Sequence, residues 1–266
     1  MFSRNHLIWL GISLPVIALA LYSLVRNKLP LKKVLRVCCI LAVLSEYIKV
    51  FSSVEMLPMS AAEGLYPYLN PGHFPFHLCS IQIPLIFYVS FARPSETRDT
   101  VLAFMYPTCV AGAFLALLLP SIFTNSIDVS QAFTHPLAYQ YFLWHCALII
   151  LGFYIPVSGE VKLTKKRWAV TCAGMIGLAF LSIYINSACS SPIYTEGKAV
   201  GLDYVTNFFF TMRTPIGLSL NTKGQWILYY LIIHLLSAAV ISLLYLPFMC
   251  RDGCFHKNTQ KRKDAQ

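Results

Sequence analysis

Apolar residues run along this chain in seven long stretches separated by polar gaps: Leu7–Val25, Val37–Val54, Phe74–Ala92, Thr100–Ser121, Pro136–Ile155, Trp168–Asn186 and Trp226–Met249. Each is about 18–24 residues long, against the roughly 20 that an α-helix needs to cross about 30 Å of hydrocarbon. The pattern predicts an all-α polytopic membrane protein of seven transmembrane helices. They form one transmembrane domain over residues 1–250, followed by a basic tail over residues 251–266 whose composition fits a disordered segment.

The gaps differ in charge. Cations follow the first stretch (Arg26, Lys28, Lys32, Lys33, Arg36), the third (Arg93, Arg98), the fifth (Lys162, Lys165, Lys166, Arg167) and the seventh (Arg251, Lys257, Lys261, Arg262, Lys263). The N-terminus and the other gaps hold only Arg4, Lys198, Arg213 and Lys223, and Lys49 lies inside a stretch. Positive charge stays on the cytoplasmic side, so the N-terminus is expected outside and the C-terminus and tail inside. The first stretch has a single cation ahead of it, five behind it and no clear small-x-small cleavage site. It reads as an uncleaved helix, not a signal peptide.

Composition supports this picture. The chain is 57% hydrophobic and 12% charged, where a soluble domain carries about twice that charge. The net charge of +10 belongs mostly to loop cations on one membrane face, so no nucleic-acid partner is expected. The nine cysteines do not read as a disulfide framework. Most lie within helices as small apolar residues. Cys250 and Cys254, with His256 nearby, sit where S-palmitoylation is permitted.

Two outside connections are long. Glu55–His73 is rich in Pro and Gly and has no Lys or Arg; Ser187–Gln225 contains Phe208-Phe209-Phe210 followed by Thr211-Met212-Arg213-Thr214-Pro215. That piece is either a partial helix dipping back into the bundle or an interfacial segment anchored by its Phe rings. Pro84 is expected to kink the third helix. Ala111, Gly112, Ala113 and Ala116 offer a close-packing face on the fourth.

A polar residue inside a membrane helix is costly and marks a candidate site. Glu46 and Lys49 in the second helix, His77 in the third, His145 in the fifth and His234 in the seventh all fall in the outer half of the bundle. They are expected to line one polar cavity opening outward, with Gln82 near its wall and Arg213 as a further substrate-binding candidate. Glu46 and Lys49 are i,i+3 and can pair, which is also a purely structural role. Tyr141 and Tyr230 lie four residues before His145 and His234, so each phenol could fix a tautomer or relay a proton. His77 and Cys79 are i,i+2 and, on a helix, face different ways; a Cys79–His145 pair across two helices stays open. No metal-ligand spacing and no phosphate-binding Gly loop occurs, so no cofactor is expected. The helix for a retinal Schiff base lacks its Lys, and the third helix lacks an acidic-Arg-aromatic triplet.

The run Phe74-Pro75-Phe76-His77-Leu78-Cys79-Ser80-Ile81-Gln82-Ile83-Pro84, then Tyr141-Phe142-Leu143-Trp144-His145, resembles the YwaF-like family of bacterial integral membrane proteins. Asn186, Asp203-Tyr204 through Phe210, and Ala111–Pro120 carry the same likeness. That family is similar to the transmembrane protein 164 group. The resemblance implies a bacterial cell-membrane location and phospholipid acyl transfer, with a membrane lipid or acyl group as substrate. A Cys and a His in equivalent helices form that group's proposed catalytic pair. His77 and His145 match its histidines. Its nucleophile directly precedes the first of them, a position held here by Phe76, and Cys79 is the nearest thiol. His145, His77 and Cys79 are therefore the catalytic candidates, with His145 as general base. The alternative function is a non-enzymatic binding or transport module for a small amphiphile. Oligomeric state is not legible.

Overall fold

A computed structural model describes residues 2–58, 64–195, 198–204 and 206–263. The chain is mostly helical. Its helices are α1 (Arg4–Arg26), α2 (Leu31–Ser53), α3 (Leu78–Phe91), α4 (Glu96–Leu118), the single turn α5 (Ile122–Asn125), α6 (Pro136–Val157), α7 (Lys165–Ala188) and α8 (Lys223–Lys263). The starts follow local capping chemistry. Ser3, Ser95 and Thr164 each accept a hydrogen bond from a first-turn amide, as the unpaired N–H groups of a helix start require.

Five helices are long and apolar enough to cross a bilayer: α1, α4, α6, α7 and α8 as far as Cys250. α2 has the length, but Lys32, Lys33, Arg36, Glu46 and Lys49 interrupt its apolar run. α3 is apolar but has only 14 residues, about 21 Å of helix. Membrane-crossing length and composition are thus met by five of the seven stretches. α8 continues past Arg251 into the basic tail.

Two sequence expectations are corrected here. The third stretch does not become helical at Phe74. Pro71–His73 form a 3-10 turn and Phe74 is extended (φ −54°, ψ 135°), because Pro75 bars the residue before it from the helical region. His77 is then the extended N-cap of α3, not a residue on its face. The chain is also not purely α. Each long connection folds back as an antiparallel hairpin: β1 (Val54–Pro58) with β2 (Leu65–Leu69), and β3 (Ser190–Thr195) with β4 (Lys198–Tyr204). Their strands are shorter than the apolar runs that dominate the sequence pattern, and Pro and Tyr mask their alternation.

α4 and α6 form the central pair, with α1 and α2 against α6, α3 against α2 and α4, and α7 and α8 against α4. Gly152 sets the α4–α6 separation. A Cβ there would fall 2.7 Å from Val110 Cγ2 and 3.1 Å from the Tyr106 carbonyl oxygen. The small-residue face of α4 is used more sparingly. Gly112 takes the Leu78 side chain at the start of α3, and Ala113 is buried. α1 is held by Trp9, which stacks on Phe142 with ring centroids 4.6 Å apart and donates its indole N–H to the Ala132 carbonyl at 2.9 Å.

The connections segregate to two ends. At one, the Arg167 guanidinium meets Glu96 at 2.8 Å and Asp99 at 3.2 Å, and Glu160 accepts from the Leu31 amide at 2.7 Å. The α1–α2, α3–α4 and α6–α7 connections, the ones with the expected excess of cations, therefore meet. At the other end lie the N-terminus, both hairpins and the 3-10 turn Phe208–Phe210.

Candidate functional site

Cys79 stands in the first turn of α3, because the extended Phe74–His77 linker delays the helix start. The amides of Cys79 and Ser80 are turned toward its sulfur, and the Lys49 ammonium is a charge neighbour. The thiol thus lies beside the unpaired N–H groups of a helix start. Lys49 itself is paired with Glu46, one turn back on α2, with both carboxylate oxygens at 2.7 Å. The expected i,i+3 pair forms.

His145 lies about 14 Å along α6 from its start, in the packed centre, and is 4% exposed. Its Nδ1 faces the Tyr141 carbonyl oxygen at 2.6 Å, and its Nε2 is buried with no hydrogen-bond partner among the described residues. A carbonyl only accepts, so Nδ1 carries the proton and Nε2 presents a lone pair. The same i,i−4 geometry recurs at His234, whose Nδ1 faces the Tyr230 carbonyl oxygen at 2.6 Å. In both places the sequence pointed to the phenol. The phenols are too long to turn back one helical turn and donate elsewhere: Tyr141 to the Ala116 carbonyl at 2.9 Å, Tyr230 to the Thr211 carbonyl at 2.8 Å. The tyrosine backbone, not its hydroxyl, sets the tautomer.

Tyr141 links the two candidate groups. Its ring lies 4.3 Å from the His145 ring, and its phenol is a charge neighbour of Cys79. His77, exposed at the start of α3, is an electrostatic neighbour of His145. Its Nε2 is 3.3 Å from the Gly72 carbonyl oxygen, and its ring packs edge-on against Phe208 at 4.7 Å. Phe76 packs against Phe208 and Phe209, each at 5.8 Å. Glu46, Lys49, His77, Cys79 and Tyr141 are thus near neighbours on α2, α3 and α6, with His145 one helical turn deeper than Tyr141.

The remaining candidates have other neighbours. Gln82 is fully buried, with Nε2 donating to the Leu78 carbonyl at 3.1 Å and to Thr108 at 3.0 Å, and Oε1 accepting from Cys109 at 3.2 Å. It joins α3 to α4. His234 packs against Phe180 of α7 and lines a cavity of about 20 Å³ with Cys172, Met175 and Ser237. Arg213 is exposed, and its backbone is held by the Asn207 side chain.

The sequence reading passed over Asn186 as a site-building residue. It is fully buried near the end of α7 and holds the turn carrying Phe208, whose ring packs against His77. An Asn in an otherwise apolar helix end was the available signal. The turn is a short 3-10 helix packed on α7. Phe208 is buried against protein rings, while Phe210 is 45% exposed. Phe209 and Phe210 both adopt left-handed φ, 55° and 56°, a strained conformation for aromatic residues that the surrounding hydrogen bonds must hold.

No group of three or more His, Cys, Asp or Glu arranged to hold a metal ion occurs among the described residues. Eight of the cysteines are free thiols; the Cys254 and His256 side chains lie outside the described residues. No curated protein and no solved structure matches the chain significantly. The profile of the TMEM164 family matches residues 1–245. With nearly the whole chain so matched, this protein belongs to the TMEM164 family.

Proposed function

We propose that this membrane protein is a lipid acyltransferase whose chemistry is carried by Cys79 and His145. The observation that carries this reading is the His145 imidazole. It is buried in the bundle, has its proton fixed on Nδ1 by a backbone carbonyl and has a bare Nε2. A buried base in that state accepts a proton without first losing one. Cys79, in the first turn of α3 with amides turned toward its sulfur, is the nucleophile.

In the first half-reaction His145 Nε2 takes the thiol proton. The sulfur attacks the carbonyl carbon of an acyl ester, and the alcohol leaves with the proton returned by His145. The first-turn amides of α3 stabilise the oxyanion that forms in between. In the second half-reaction His145 deprotonates an acceptor hydroxyl, which attacks the thioester carbonyl and releases the Cys79 thiol. Tyr141 and the Lys49–Glu46 pair border this path, and His77 stands at its entrance.

The same reading has seven helices, α1 to α4 and α6 to α8, cross the membrane, with the N-terminus outside and the C-terminus cytoplasmic. Its support is the meeting of the cation-bearing connections at one end of the bundle. Purified protein in vesicles containing one labelled ester lipid and one unlabelled lysolipid should move label between them. It should also accumulate a hydroxylamine-sensitive acyl group on Cys79. Saturable lipid uptake with no transfer would replace this reading by that of a binding or transport module.

A further inference from the structure

The two hairpins have a sidedness that the acyl-transfer reading does not use. In β1–β2 the register pairs Val54 with Leu69, Met56 with Pro67 and Pro58 with Leu65. Directly opposed residues share a face of a sheet, so one face is Val, Met, Pro, Leu, Pro and Leu without a polar group. The other face pairs Glu55 with Tyr68 and Leu57 with Tyr66. The apolar face is uncovered: Met56 is 53% and Leu65 61% exposed. The β3–β4 pair is less sided: Pro192 opposite Leu202 shares its face with Ser190, Ser191 opposite Asp203 shares the other with Ile193, and the register shifts between Ile193 and Tyr194. Tyr194, Leu202 and Ile193 are all exposed.

We infer that both hairpins lie flat in the membrane–water boundary, apolar faces toward the acyl chains and polar faces toward water, so that a lipid surface is the partner that covers them. Continuity argues for lipid over protein. β1 begins at the residue after α2 ends, and the last turns of α2 already present Leu44, Tyr47 and Phe51 as exposed side chains. β3 likewise follows α7 after one residue, where Phe180, Leu181 and Tyr184 are exposed. Each hairpin thus follows directly on a helix end that carries exposed apolar side chains. Tyr66, Tyr68 and Tyr194 suit a layer that is apolar on one side and wet on the other. A hairpin standing alone in water is marginal, whereas an amphipathic element inserts about 5–10 Å into the boundary layer. The hairpin β1–β2 joins Lys49 on α2 to the linker before Cys79, so its seating brings these residues level with the upper acyl chains. The inference rests on the reading that α2 crosses the membrane.

Single tryptophans on the two faces of one strand report the seating without reference to activity. Met56→Trp and Leu57→Trp are compared in vesicles of phosphatidylcholine brominated near the top of its acyl chains, after subtracting the signal of the four native tryptophans. The added fluorescence at position 56 should fall by roughly half or more and resist iodide, whereas position 57 should respond to iodide and little to bromine. Leu65→Trp repeats the test on the same face should Met56→Trp fail to fold, and Leu202→Trp against Ser191→Trp extends it to the second hairpin. Equal iodide quenching on both faces would overturn the inference, leaving the hairpins in water. Shielding of position 56 from both quenchers would also overturn it, assigning the face to protein. Either result is independent of whether acyl transfer is found.

Discussion

The side-chain amide of Asn186 pairs with both backbone polar groups of Phe208: Nδ2 donates to its carbonyl and Oδ1 accepts from its N–H, each at 3.0 Å. Nδ2 also reaches Thr211 Oγ1 at 2.8 Å. One buried amide thus does for this turn what a strand neighbour does in a sheet. It satisfies groups that would otherwise be orphaned and holds two left-handed aromatic residues against their preference. Asn186→Ala should destabilise the turn by about 2–4 kcal/mol, since buried backbone groups lose their partners. Limited proteolysis between residues 206 and 214 checks it. An unchanged cleavage rate would show that the turn is held by other contacts.

Gly152 should not accept a side chain. Its Cβ would meet Val110 Cγ2 at 2.7 Å, Cys109 Cβ at 3.0 Å and the Tyr106 carbonyl at 3.1 Å. Val110 can turn, but the carbonyl is backbone. Gly152→Val should cost about 1–3 kcal/mol of overpacking, read as a lower Tm in detergent than Gly11→Val, whose surroundings are open. Equal melting of the two variants would mean that α4 and α6 do not approach as described.

The His73 imidazole outside the bundle is held below its ordinary range, first by burial, then by the Lys49 charge, with Glu55 acting in the opposite sense. His77 is its other charge neighbour. A histidine depressed in the fold stabilises it while neutral. That contribution is present above the unfolded value of about 6.5 and is lost as pH falls below it. Hydrogen exchange of the amides around residues 70–77 should therefore quicken, after correction for intrinsic rates, as pH drops below about 6.5. His73→Phe should flatten that response. A response surviving in His73→Phe would assign it to another group.

Transfer activity should separate the two catalytic roles. His145→Ala should lower turnover by at least about 100-fold, the scale of general acid–base work. Cys79→Ser should do the same only if the acyl group passes through sulfur. Loss in His145→Ala alone points to direct base catalysis on the acceptor hydroxyl. Full activity in both variants would remove the catalytic assignment.

Reporter fusions test the orientation. Fusions at Lys165 and after Gln266 should read cytoplasmic, and one at Ser60, which lies outside the described residues, external. A cytoplasmic signal at Ser60 would invert the orientation, and the leaflet that the site faces with it.

The sequence by itself determined the membrane setting, the predominance of helix and the end of the bundle at which the cation-bearing connections meet. Those features depend on local composition summed over 20 or so residues, which neighbours hardly alter. It also marked His145 and the Glu46–Lys49 pair, because a polar group in an apolar run stands out. Only the tertiary structure decided where α3 begins, and with it whether Cys79 sits on a helix face or at a helix start. It decided that a tyrosine carbonyl, not its phenol, fixes each histidine. It drew Gln82 into a cross-link with α4 and gave His234 to the α7–α8 seam. Each of those outcomes turns on a few ångströms of approach between segments far apart in the chain. Hydrogen bonds fall off within that distance, and no periodicity in the sequence encodes it.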